Sequence, residues 1–313
     1  MISRRQALIG FCVLGFCSQI VPAAVILTPA GTTSTTYDYF GNRTPTWSGG
    51  TLLALENDST SSPIIKVFGR DGRQVSSLPL TIPQAEVIVV RGIARGDSGL
   101  LVACGRAIDG QGRQVAFLAL FPPNSGELAV VALKDYYAEQ PAVAPDGTIW
   151  TVGYEPARRS KADIIRHFDV NGKTIGSLIP ADTFPSMLVL ADAHNQFAVS
   201  ANRVAFFAPS AGRYIELSLD GNVTTDIKTG ALGQREKVYS FALTNDGRTF
   251  FTTQDPTPPR DRNLYLLDTR SGQFTAVAMP IGLIGLHGGD GNNLVGRTGD
   301  GRAFSFFSVQ DLH

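Results

Sequence analysis

The chain has 313 residues, and its 27 Lys and Arg against 27 Asp and Glu give a formal net charge of zero. That balance excludes the basic stripe of a nucleic-acid binder and leaves no acidic tail. Aromatic residues at 9% and 33 glycines suit a sheet-and-turn protein, and no long helical period runs through the sequence.

Residues 1–24 read as a signal peptide. Arg4 and Arg5 form a positive start, residues 7–16 an apolar core, and Val21-Pro22-Ala23-Ala24 offers small residues for cleavage. The apolar core is too short to span a bilayer. Residues 3–8, Ser-Arg-Arg-Gln-Ala-Leu, resemble a twin-arginine export signal, with Ala7 where an aromatic residue or leucine is usual. Twin-arginine and general secretory export both stay open, and either makes the protein periplasmic or secreted. Cys12 and Cys17 each follow Phe, unlike a lipoprotein site. Cleavage leaves Cys104 alone, so the mature chain is expected to have no internal disulfide. Cys104 stands in an apolar run and reads as a buried, inert thiol.

From residue 25 onward, short apolar runs alternate with tight turns. Residues 24–28 form a first run with no hairpin partner nearby. Ser48-Gly49-Gly50, residues 52–55, residues 64–68 and Asp71-Gly72 then make one unit. Asp97-Ser98-Gly99, residues 100–104 and 115–120, and Ser125-Gly126 make the second. Asp146-Gly147, residues 149–152 and 163–168, and Asn171-Gly172 make the third and clearest. Asn or Asp before Gly favours tight hairpins because both tolerate positive φ. The fourth unit is irregular. It takes residues 197–200 as its innermost strand and 204–207 as its second, with 187–190 as an insertion, and it ends at Asp220-Gly221. The fifth runs through Asp246-Gly247, Phe250-Phe251, residues 264–267 and Ser271-Gly272. The sixth has Gly291-Asn292, Leu294-Val295 and residues 303–309, and then the sequence stops one strand short.

The second-hairpin glycines 72, 126, 172, 221 and 272 are spaced 54, 46, 49 and 51 residues apart. A period of roughly 50 residues with four strands per unit is that of a β-propeller. The fold expected is all-β: one domain over residues 25–313, a six-bladed β-propeller of four-stranded antiparallel blades. The spare N-terminal run supplies the strand missing from the last blade and closes the ring, leaving no open edge.

Isolated motifs give little chemistry. Gly96-Asp97-Ser98-Gly99 matches four residues of a serine-protease nucleophile segment, but Leu100 breaks the match and the stretch falls at a repeat turn. His167, His194, His287 and His313 share no metal-ligand spacing, and His167 is expected on a solvated face. Gly288-Gly-Asp-Gly-Asn-Asn293 lacks the helix and Lys-Ser/Thr pair of a phosphate loop and reads as a turn. The repeat itself directs attention to one end of the ring. Loops after the second strands and between blades gather there. Aligning the units brings Asn57, Arg106, Tyr154, Asp255 and Arg297 to one level, with Glu139 from an inter-blade segment. These six are the candidate ligand-binding residues. Arginines there favour a ligand with carboxylate or phosphate groups.

The four-strand unit with Asp-Gly and Asn-Gly hairpins resembles the six-bladed propeller superfamily that includes the NHL and TolB-like families. The resemblance covers most of residues 25–313 and is architectural. It implies scaffolds, binders, or calcium-dependent lactonases related to gluconolactonase and strictosidine synthase. Asn57, Glu139 and Asp255 are suitable residue types for calcium, but the lactonase motifs around them are missing. The leading expectation is an exported, monomeric binding or interaction propeller without chemistry or cofactor, holding a small polar ligand or a protein, with no nucleic acid and no membrane span. A metal-dependent hydrolase or lyase, and a component of a cell-envelope assembly, are the alternatives.

Overall fold

The computed structural model describes residues 25–35, 45–57, 59–123, 127–158, 161–185, 196–230, 237–255, 262–299 and 302–311. The signal segment 1–24, the Ser125-Gly126 turn, the 187–190 insertion, His194 and His313 lie outside them.

Six antiparallel sheets stand in a ring. Blade 3 shows the plan: Tyr137–Val143 innermost, then Ile149–Tyr154, Asp163–Phe168 and Thr174–Pro180 outward. Blades 1 and 5 follow it. In blade 4, Phe197–Val199 is innermost and Arg203–Ala208 second, paired through Phe206 and Val204 as the turn pattern expects. Blade 6 takes its fourth strand from the N-terminus. Val25–Ser34 pairs antiparallel with Ala303–Asp311, from Val25 opposite Asp311 to Ser34 opposite Ala303.

Closure also shows in the packing. Each space between neighbouring blades holds its own hydrophobic cluster. Leu53, Ile65 and Phe117 fill that between blades 1 and 2, and Val102, Cys104 and Ile149 that between 2 and 3. Trp150, Ile165 and Phe206 lie between 3 and 4, and Phe207, Tyr214 and Phe251 between 4 and 5. Phe250, Leu264 and Phe307 join 5 to 6, and Trp47, Phe68 and Phe304 join 6 back to 1. A middle strand is therefore covered on both faces, which explains why Leu52, Leu53 and Ala54 can be consecutive and all buried. Outer strands such as Val223–Lys228 instead alternate between exposed and half-buried.

The repeat glycines do more than turn the chain. Gly72 and Gly272 have φ of 76° and 74°. Each tip also rests on the outer strand of the preceding blade. A Cβ at Gly72 would lie 2.2 Å from the Ser34 carbonyl oxygen, and one at Gly272 would lie 2.4 Å from that of Lys228. Left-handed backbone and close approach both demand glycine.

Blade 2 departs from the expected plan. Its inner strand is long, Ala85–Arg95, and Ser59–Thr60 from blade 1 pairs with Val89 and Ile88 on its free edge. This sheet therefore has five strands.

Candidate functional site

The second strands of all blades run toward the same end of the ring, and the inner strands begin there. Tyr154 pairs with Tyr137, Gln254 with Lys237 and Thr298 with Leu283 at that level. In blade 2 the second strand, Leu101–Asp109, continues further and turns back at Asp109–Arg113. Arg106, expected in a loop, is therefore a strand residue at the base of a projecting hairpin.

Arg106, Glu139 and Tyr154 come together across the boundary of blades 2 and 3. Glu139 lies at a bulge of its inner strand, between Ala138 and Gln140, and Arg91 lies at a bulge of the neighbouring inner strand, between Val90 and Gly92. A bulge re-aims a side chain out of the strand's alternation. Arg91 Nε donates to Glu139 Oε2 at 2.5 Å, and Arg106 Nη2 is 3.9 Å from Glu139 Oε1. The Arg106 guanidinium lies 5.1 Å above the Tyr137 ring, and Tyr137 meets Tyr154 edge to face at 5.6 Å. Beside them Arg166 pairs with Glu155 and lies 5.0 Å over Tyr136. The Tyr136 hydroxyl bonds to Thr151 and Ile164, and burial pushes its pKa far up, so it stays a neutral donor.

The two glutamates are thus each hydrogen-bonded to another arginine, while Arg106 has only its 3.9 Å ion pair with Glu139. Its side chain makes no hydrogen bond among the described residues. Its Nε is buried without a partner, and its side chain is 27% exposed. Guanidinium donors placed this way, oriented over an aromatic ring, suit an anionic group.

The other three candidates are elsewhere. Asn57 has φ of 55°, and its carbonyl accepts from Thr60 Oγ1 at 3.0 Å, so it shapes the turn into the Ser59–Thr60 strand. Asp255 follows the second strand of blade 5, and Arg297 lies within that of blade 6. Each is at least one blade away from the Arg106 cluster. Segments 186–195, 231–236 and 256–261, which sequence places at this end, lie outside the described residues.

The remaining sequence motifs resolve into structure. Gly96-Asp97-Ser98-Gly99 is a turn closed by Gly99 N–H to Gly96 O at 2.9 Å. His167, expected on a solvated face, is buried. Its ring stacks on Trp150 at 3.8 Å, because residues opposite each other in the Trp150–His167 pair share one face. His287 is buried at a bulge of the blade 6 inner strand, with Nδ1 2.8 Å from the Pro45 carbonyl oxygen; burial lowers its pKa to about 4. Gly288 and Gly289 belong to that inner strand, with the turn beginning at Gly291.

At the opposite end of the channel the first hairpins enclose a cavity of about 160 Å³ that sequence reasoning did not single out. All six blades contribute to it, among them Ser48, Arg95, Val143, Ser200, Asn245 and Gly289. Inter-blade bonds tie its rim: Ser48 Oγ donates to Arg95 O at 2.7 Å, Ala201 N–H to Asn245 Oδ1 at 3.1 Å, and Asn245 N–H to Gly291 O at 2.9 Å. None of the six candidate residues lines it. Its polar groups are largely spent on holding the ring, and a volume of this size holds a few waters.

Calcium does not fit the proposed donors. Glu139 is covered by two guanidinium groups, Asn57 lies at a turn of blade 1 where its main-chain carbonyl is engaged by Thr60, and Asp255 stands in blade 5. A hard cation needs several oxygens converging at one point. No group of three His, Cys, Asp or Glu converges among the described residues.

No protein-family model and no curated protein matches the chain. Solved structures do match. A protein of Bacteroides fragilis assigned as exported is 10% identical, over 92% of this chain and 95% of the other, with a TM-score of 0.57. A member of the DUF4221 family from Bacteroides vulgatus is 11% identical, over 92% and 99%, at 0.52. Regucalcin, a calcium-binding protein of Agrobacterium tumefaciens, is 14% identical, over 88% and 93%, at 0.51. At such identities the likeness is one of fold. The chain is thus a six-bladed β-propeller in fold.

Proposed function

We propose that the chain is an exported binding propeller that holds a small anionic ligand at the second-strand end, between blades 2 and 3. Arg106 carries this reading. Its guanidinium is held over Tyr137 and makes no hydrogen bond among the described residues, while the carboxylates nearest it are engaged by Arg91 and Arg166. Export is supported by the pattern of residues 1–24, and no helix among the described residues is long and apolar enough to cross a membrane. Binding of this kind needs no cofactor.

The test is a thermal-shift screen of small organic anions on the mature protein, repeated on three variants. Arg106→Ala and Tyr154→Ala should abolish the shift given by any hit. Asn245→Ala, at the opposite cavity, should leave the shift in place while lowering the baseline melting temperature. A hit that survives Arg106→Ala and is lost in Asn245→Ala would move the site to the other end.

A further inference from the structure

Glu139 stands where it can both hold Arg106 and oppose an anion bound there. It belongs to the inner strand of blade 3, while the two arginines that face it come from blade 2. Arg91 Nε donates to its Oε2, whereas Arg106 Nη2 stands 3.9 Å from Oε1, too far for a hydrogen bond. In the neighbouring pair Arg166 Nη2 donates directly to Glu155 Oε1. Arg166 is thus committed to its carboxylate, and Arg106 only faces one across a gap. Solvent reaches the two partners unequally: the Arg106 side chain is 27% exposed and that of Glu139 is 9% exposed.

Arg106 keeps its place by other means. Its guanidinium lies 5.1 Å above the Tyr137 ring, and its Nε is buried. Its backbone is paired on both sides, with Val89 and with Ala116. Loss of the Glu139 charge therefore leaves the arginine where it is. That charge works against a ligand. An anion oxygen bonded to Nη2 at about 2.9 Å would stand within about 7 Å of Glu139 Oε1, given the 3.9 Å between the two side chains. Like charges at that separation repel, the more so when one of them is shielded from water. Arg91 is present with and without a ligand, so it does not reverse the sign of this effect.

We infer that Glu139 is a built-in competitor for the anion at Arg106: its carboxylate occupies the field of the guanidinium and holds the affinity of the site down. This concerns the regulation of the binding site proposed above and rests on that reading. It carries a counter-intuitive consequence. Removing a buried carboxylate that pairs with the binding arginine strengthens anion binding instead of weakening it.

The probe is acetate, titrated by NMR at constant ionic strength into the mature protein and into Glu139→Gln, Arg106→Gln and the double variant. Glu139→Gln keeps the shape of the side chain and an acceptor for Arg91. Thermal melts confirm folding, and Glu139→Ala removes the same charge should Glu139→Gln lose its cooperative melt. Asp220→Asn makes an equal charge change at the exposed outer hairpin of blade 4. Glu139→Gln should bind acetate about 10-fold more tightly than the parent, the factor expected for one like charge at this distance in a medium between water and protein surface. The double variant should lose that gain, and Asp220→Asn should match the parent. If Glu139→Gln binds acetate no better than the parent, and Arg106→Gln abolishes binding, the anion site stands and the competitor role is wrong. An equal gain in Asp220→Asn also overturns the role, because overall charge then explains it. So does a Glu139→Gln protein that shows no saturable binding up to about 100 mM. Binding that is the same with and without Arg106 overturns the site itself and the inference with it.

Discussion

Removing the Trp150 side chain tests whether the blades are held together as described. Trp150 is fully buried between blades 3 and 4. Its ring stacks on His167 at 3.8 Å with 16° between planes, and its Nε1 donates to Thr148 Oγ1 at 3.3 Å. On the other side it approaches the turn at Gly221 of blade 4. Trp150→Ala removes roughly 200 Å² of buried aromatic surface, about 5 kcal/mol at the usual coefficient. Relaxation of the Gly221 turn into the space recovers part of it, whereas loss of the His167 stack adds about 0.5–1.5 kcal/mol. The expected cost is about 3–5 kcal/mol. Urea titration, with the slope unchanged, should show it as a lower midpoint. Far-UV circular dichroism is the better probe, because only Trp47 would remain to fluoresce. Trp150→Phe keeps a stacked ring and should cost less than half as much. A loss below about 1 kcal/mol for Trp150→Ala would mean that the side chain is not a joint between blades.

Acid should weaken the fold through His287. Its folded pKa of about 4 lies below the unfolded value of 6.5, so the unfolded chain binds the proton first as pH falls. Stability is then full above about pH 6.5 and declines down to about pH 4, by about 3 kcal/mol from this residue; His287→Asn should flatten that part of a stability-versus-pH curve. Gly272→Ala should cost more than the usual 1 kcal/mol of a helix glycine, since φ is 74° and a carbonyl oxygen stands 2.4 Å from the new carbon. A melting temperature unchanged by that substitution would contradict the packing of hairpin tips on preceding blades. Glu216→Ala should cost about 3–5 kcal/mol, because it strips Arg203 of its 3.2 Å partner and Tyr214 of its 2.6 Å acceptor in a buried network; denaturant titration reads it directly.

The ring was legible because its signals are local. Asp71-Gly72 and Asn171-Gly172 announce hairpins by themselves, and a spare strand at one terminus matched a missing one at the other. The irregular fourth blade was also readable, because Ser200 to Arg203 has the length of a tight turn. The Ser59–Thr60 strand was not readable, since two polar residues carry no pattern and their partner lies in another blade. His167 misled for a related reason. Alternation with Ile165 looked like an outward face, but in a propeller both faces of a middle strand are covered, and a ring can stack on Trp150 there. The site was half legible. The repeat register put Arg106 and Tyr154 at one level, and Glu139 joined them. It could not show that bulges at Glu139 and Arg91 turn these side chains toward each other, because a bulge has no sequence mark here. Nor could it show that Asp255 and Arg297, at the same level, stand across intervening blades. The cavity at the first-hairpin end went unnoticed because its lining comes from all six blades and no local motif marks it.

A crystal structure of the mature protein soaked with a small organic anion that raises its melting temperature tests the central claim most directly. The account predicts electron density for the anionic group against the Arg106 guanidinium, between blades 2 and 3. Density in the first-hairpin cavity, beside Ser48, Asn245 and Gly289, with Arg106 untouched, would contradict it.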